Sequence, residues 1–276
     1  MEASCYASLE PRSAQLSAGG LDWNYVEWSH GEPQTTLLLL HGITSTALSW
    51  WRVGPALAEQ GFRVVAPDMP GHGDTSPIPT DYSLGQTAQA IAAFAKALNL
   101  ENFLLVGHSW GGANALLLAA RKMLPLSKVV LVDPAMRLGN RQMVEKNLQN
   151  YTQLLGVEAT EILEQTRLAN PTWDECDVQW RVVALQKANR TAVEGFFLDN
   201  LEMNLGAELK QVEVPLFLFL GDPTVGGVVP PAMIETAKGS LKPTVDRLEM
   251  LQGVGHSLHR EAFERFMGGL VPFLKA

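Results

Sequence analysis

Gly107-His108-Ser109-Trp110-Gly111 constrains this chain more than any other stretch. The pattern is G-x-S-x-G, and its flanks give it meaning. Before it lies Asn102-Phe103-Leu104-Leu105-Val106, an apolar run short enough to be a buried strand. After it lies Gly112-Ala113-Asn114-Ala115-Leu116-Leu117-Leu118-Ala119-Ala120, made of small residues and helix formers. A strand, a sharp turn and a helix together lift a serine hydroxyl clear of a sheet and expose it as a nucleophile.

The rest of the chain supplies strands and helices in alternation. Residues 12–17 and 21–28 flank Ala18-Gly19-Gly20 and read as a hairpin. Strands are predicted at 36–40, 63–66, 128–132, 216–220 and 245–251, and helices at 47–59, 83–98, 234–238 and 257–274. This order predicts an α/β protein with a mostly parallel sheet covered by helices on both faces. Residues 136–209 break the pattern, with helical periodicity and no convincing strand. That span exceeds an ordinary connection. It reads as a helical cap, 136–209, over a core formed by 1–135 and 210–276.

A serine hydroxyl needs a base, and the base needs a carboxylate to fix its tautomer. Of six histidines, His256 is the best base, in the turn Gly253-Val254-Gly255-His256-Ser257 after the last predicted strand. His259 belongs to the final helix, and His108 beside the nucleophile is expected to be structural. The carboxylate is expected between serine and histidine in the chain. Asp222, in Gly221-Asp222-Pro223, is the first choice; Asp133, in Val132-Asp133-Pro134, is the competitor, and both end apolar strands. Backbone N–H groups of Ile43 and Trp110 are the expected oxyanion donors. Thr44, Trp50 and Trp51 are candidates for the substrate pocket. Phe196, Phe197 and Met143 are candidates for its roof, with Trp173, Trp180 and Met203. Asp174, Glu175 and Asp177 read as a solvated acidic face.

The chain resembles the α/β-hydrolase fold family, in its lid-bearing group of esterases, epoxide hydrolases and haloalkane dehalogenases. The residues that carry the resemblance are His41-Gly42-Ile43, Asp68-Met69-Pro70-Gly71-His72-Gly73, Gly107-His108-Ser109-Trp110-Gly111-Gly112, Asp222 and Gly255-His256. It implies Ser109 as nucleophile, His256 as base and Asp222 as its partner. Members that open epoxides or displace halide carry Asp at the elbow, so Ser109 implies ester hydrolysis. Thioesterase, lactonase and C–C hydrolase activity use the same triad, and a small-molecule receptor can retain it. The chain departs from the group in one place: the acid directly follows Gly221, where Gly-x-x-Asp is common.

The net charge of -8 argues against nucleic acid and anionic membranes as partners. No apolar run is long enough to span a membrane. No phosphate-cradling loop, metal spacing or cofactor motif is present. The expected partner is a small-molecule ester, and the expected state a monomer or homodimer. Cys5 and Cys176 lie far apart in sequence, so a disulfide is not expected, and the expected location is cytoplasmic.

Overall fold

The computed structural model describes residue 5, residues 9–33 and residues 35–276. Eight strands form one sheet: β1 (Arg12–Ala18), β2 (Leu21–Trp28), β3 (Thr35–Leu40), β4 (Phe62–Pro67), β5 (Phe103–His108), β6 (Leu126–Val132), β7 (Leu216–Gly221) and β8 (Arg247–Leu251). Their order is β1-β2-β4-β3-β5-β6-β7-β8. β1 and β2 are antiparallel, β2 meets β4 antiparallel, and all other pairs are parallel. The alternating exposure of β1 marks it as an edge. β5 and β7 are buried at every residue, as central parallel strands must be when helices cover both faces.

Helices α1 (Val53–Glu59), α2 (Leu84–Ala97) and α3 (Trp110–Ala120) alternate with the strands. Ser83 caps α2 by accepting from the Gln86 N–H at 3.4 Å. The expected single helix at 47–59 is instead a 3-10 turn, Ala47–Trp50, followed by α1. Pro55 explains the break: a proline clashes with the carbonyl four residues before it, so a continuous helix cannot cross this point.

Between β6 and β7 lie four helices, α4 (Arg141–Thr152), α5 (Ala159–Ala169), α6 (Glu175–Lys187) and α7 (Arg190–Leu198). The two ends of this insertion are zipped together. Arg137 bridges Asn204, Leu138 N–H donates to Met203 O at 3.0 Å, and Leu205 N–H donates to Met136 O at 2.9 Å. The chain ends with α8 (Pro231–Lys238), α9 (Leu258–Glu261) and α10 (Phe263–Lys275), so the predicted helix at 257–274 breaks at Ala262.

The core has two parts, one per sheet face. Leu38, Leu105, Leu116 and Ile91 pack with α2, α3 and the insertion; Leu39, Val106, Leu57 and Phe266 pack with α1 and α10. Among the described residues, no helix is long and apolar enough to cross a membrane.

The absence of a disulfide is corrected. Cys5 and Cys176 are bonded across 171 residues of sequence, with Cα atoms 5.2 Å apart. Cys5 reaches α6, a tertiary contact that cysteine spacing does not encode.

Candidate active site

Ser109 sits between β5 and α3 at φ 54°, ψ -115°, a conformation strained for a residue with a Cβ. The turn closes only because its neighbours are glycine. A Cβ on Gly111 would lie 2.3 Å from Leu40 O, so no other residue fits. The elbow is tied to β6 by Ser109 N–H to Val132 O at 3.0 Å and Ala135 N–H to Ser109 O at 3.0 Å.

His256 follows β8, and its loop is fixed from two sides. Glu261 accepts from Gly255 N–H at 2.7 Å and Ser257 N–H at 2.9 Å. The Nδ1–H of His256 donates to Asp133 Oδ2 at 2.7 Å. This fixes the tautomer and leaves Nε2 with the lone pair a general base needs. The Asp133 carboxylate is fully buried and accepts two further bonds, from Gly221 N–H at 3.1 Å and Val228 N–H at 2.9 Å.

Asp222, the first choice from sequence, is not the partner of His256. Its Oδ1 accepts from Thr224 N–H at 2.9 Å and Thr224 Oγ1 at 2.7 Å, and its Oδ2 accepts from Gly253 N–H at 3.0 Å. These bonds hold its carboxyl below the usual aspartate range, the Gly253 bond contributing most. Asp222 folds back onto its own Asp-Pro turn. Asp133, at φ 38°, instead sends its carboxylate across the ends of β7 and β8.

The loop of residues 41–45, which carries the expected oxyanion donor Ile43, follows β3. Gly42 brings it against Ser109: a Cβ there would lie 3.0 Å from Ser109 Cβ. Its peptides are held one after another. His41 accepts from Met69 N–H at Nε2 (2.8 Å), so its Nδ1–H donates to Gly42 O (2.8 Å) and sets the peptide that carries Ile43 N–H. Thr44 N–H donates to His72 Nε2 at 3.1 Å, and the Thr44 hydroxyl donates to Ile43 O at 2.7 Å. Arg181 Nη1, from α6, donates to Thr44 Oγ1 at 2.7 Å and also to Thr44 O. Thr44 is itself at φ 55°. Trp110 begins α3, so its N–H has no acceptor within the helix and the dipole favours an anion there.

The imidazoles behind the site are neutral. Burial lowers His72 to about 4, and burial, then His72, holds His41 well below its usual value. His108 donates from Nε2 to His256 O at 3.0 Å; burial, then His256, depresses it as well. His259 is buried against Trp50, with ring centroids 4.7 Å apart.

A cavity of about 870 Å³ is lined by both Ser109 and Ile43. Phe196, Phe197, Tyr151, Met143 and Val228 give it apolar walls. Arg137, Asn147, Asn150 and Asn204 give it a polar side. None of Thr44, Trp50 and Trp51 lines it, which corrects the sequence expectation. Thr44 spends its polar atoms on Ile43, His72 and Arg181. Trp50 is fully buried core, and Trp51 Nε1 donates to Asp177 Oδ1 at 2.9 Å. Of the expected roof residues, Trp173, Trp180 and Met203 also lie off the cavity.

Asp177 likewise departs from the solvated face expected for it. It is buried, with Arg260 Nε 3.5 Å from its Oδ1. Arg181 escaped the sequence reading and Asp177 was misplaced in it, though a signal existed. On α6 they are four residues apart, on the same face as the buried Val178, Val182 and Leu185.

Residues 35–220 match the model of the alpha/beta hydrolase fold family. The chain belongs to that family. N-formylmaleamate deformylase of Pseudomonas putida is 28% identical over 261 residues, covering 94% of this chain and 95% of that protein. Two solved hydrolases share the fold. N-formylmaleamic acid deformylase of Pseudomonas putida S16 superposes with TM-score 0.75 at 24% identity, over 93% of this chain and 99% of that one. E-2-(acetamidomethylene)succinate hydrolase superposes with TM-score 0.79 at 20% identity, over 97% and 100%.

Proposed function

We propose that this hydrolase cleaves carboxylic esters through an acyl-enzyme on Ser109, with His256 as base and Asp133 as its orienting acid. The observation that carries the reading is the His256–Asp133 bond of 2.7 Å, together with a strained serine that lines the cavity. Ser109 Oγ attacks the carbonyl carbon and gives its proton to His256 Nε2. Asp133 stabilises the imidazolium, and the N–H groups of Ile43 and Trp110 receive the oxyanion. Collapse breaks the C–O bond, and the departing alkoxide takes the proton from His256. Water then attacks the acyl carbon, gives a proton to His256, and frees Ser109. Residues 136–209 serve as the cap that closes the cavity, over the core of 1–135 and 210–276.

The polar wall of Arg137, Asn147, Asn150 and Asn204 favours a second reading, in which the acyl group leaves a nitrogen. A deformylase among the relatives supports the same step on an N-formyl amide. The Cys5–Cys176 disulfide favours an oxidising compartment over the cytoplasm expected from sequence.

The test is steady-state hydrolysis of p-nitrophenyl esters of increasing acyl length and of an N-formyl amide, with wild type beside Ser109→Ala. Multiple turnovers by wild type alone support the reading. Equal rates in the folded variant contradict it.

A further inference from the structure

Two guanidinium groups hold the loop at residues 41–45: Arg181 of the insertion on Thr44, and Arg260 of α9, whose Nη2 donates to Ser45 Oγ at 3.3 Å. His41 and His72, both from the core and both neutral, fix the peptides on either side of Ile43. The third peptide, Thr44–Ser45, is held through Thr44 O by Arg181 of α6. The same Nη1 bonds Thr44 Oγ1 at 2.7 Å, and that hydroxyl bonds Ile43 O at 2.7 Å. The chain of bonds therefore runs from α6 through Thr44 to Ile43, which lines the cavity. Thr44 sits in the left-handed region at φ 55°, a strained state that needs its neighbours to hold it.

Among the described residues Arg181 has no carboxylate within ion-pair distance. The neighbouring guanidinium, Arg260, is paired with Asp177 at 3.5 Å. Burial, then Arg260, lowers Arg181 to about 10, which leaves it a cation at neutral pH. Its charge lies unpaired by any carboxylate beside the loop whose peptide it holds, and a half-buried cation there weighs more than one in bulk water.

The helix that carries Arg181 is also fastened at its start. Cys176 is disulfide-bonded to Cys5, and Asp177 meets Trp51 at 2.9 Å. One turn of α6 beyond Asp177 brings Arg181 to Thr44.

We propose that Arg181 is a positioning residue of the oxyanion hole, holding the Ile43 N–H through Thr44, so that docking of α6 completes the catalytic loop. The proposal rests on the serine acyl-transfer reading above.

The test uses the full chain and an alkyl fluorophosphonate, which forms a Ser109 Oγ–P bond as fluoride leaves and the serine proton passes to His256. Rates of Ser109 modification, read by mass spectrometry, are compared for wild type, Arg181→Met, Arg181→Lys and Arg181→Ala. The values of kcat and KM for a p-nitrophenyl ester are measured alongside. Arg181→Met should slow modification and kcat by about 10²-fold with KM little changed, as expected for a displaced donor. Arg181→Lys keeps the charge but not the forked donor, and should lose less. Methylguanidinium should restore more of the rate to Arg181→Ala than methylammonium does. If Arg181→Met does not fold, Arg181→Lys and the rescue decide. Unchanged rates in the folded variants overturn the proposal, as does a loss confined to KM. Wild type that is not modified at Ser109 overturns the serine reading itself, an outcome distinct from equal modification of wild type and variant.

Discussion

Asp133→Asn separates the two aspartates most sharply. The buried carboxylate accepts three N–H groups: Gly221 at 3.1 Å on Oδ1, and Val228 at 2.9 Å and His256 Nδ1 at 2.7 Å on Oδ2. An asparagine has one carbonyl oxygen for these donors, and its NH2 accepts nothing. With the oxygen toward His256, the NH2 confronts the Gly221 N–H and leaves it unpaired. With the amide flipped, the NH2 faces Val228 and drives His256 to the Nε2–H tautomer, which is no longer a base. One orphaned buried donor costs about 1–3 kcal/mol of stability. Loss of the tautomer and of the negative charge costs on the order of 10⁴-fold in kcat, about 5.5 kcal/mol of transition-state stabilisation, as in serine triads generally. Asp222→Asn keeps an acceptor for Thr224 and the same turn chemistry, so its activity should fall by no more than a few-fold. The assay is kcat/KM on one p-nitrophenyl ester for both variants, with thermal melts to establish folding. A larger loss for Asp222→Asn, or less than about a tenfold loss for Asp133→Asn, would refute this reasoning.

Three further outcomes are expected. His72 is lowered to about 4, so below its unfolded value near 6.5 the unfolded chain binds the extra proton; stability is lost as pH falls from about 6.5 to 4, by about 3 kcal/mol for this residue alone, and urea midpoints at pH 7 and 4.5 check it against a flat profile. Cys5→Ser should destabilise the fold by about 2–4 kcal/mol, seen as a lower Tm that reductant reproduces in wild type; unchanged melting would contradict this. Phe197→Ala, on the cavity wall beside Tyr151 (ring centroids 4.6 Å), should move the ester preference toward longer acyl chains, and an unchanged chain-length profile would remove it from the acyl site.

Much of the fold was legible because its signals are local. An apolar run before Ser109 and small residues after it dictate strand, elbow and helix within about twenty residues. The loop at 41–45 and His256 follow the same logic, each placed at the end of a strand. Which aspartate pairs with His256 was ambiguous for a physical reason. Asp133 and Asp222 both end apolar strands and both precede proline, so the sequence around them is nearly the same. What separates them is tertiary: which backbone N–H groups surround each carboxylate, and the left-handed φ of Asp133. The disulfide was hidden because its cysteines are 171 residues apart, and the buried Asp177 because its cation, Arg260, comes from the other end of the chain. Trp50 and Trp51 follow the oxyanion loop in sequence, yet the 3-10 turn carries them into the core, away from the cavity.

The most direct test of the account is to quench wild-type protein in acid during turnover of a p-nitrophenyl ester and map the acyl group by peptide mass spectrometry. The account predicts an acyl mass on the peptide containing Ser109, absent in Ser109→Ala. Turnover with Ser109 unmodified, or with the acyl group on another residue, would contradict it.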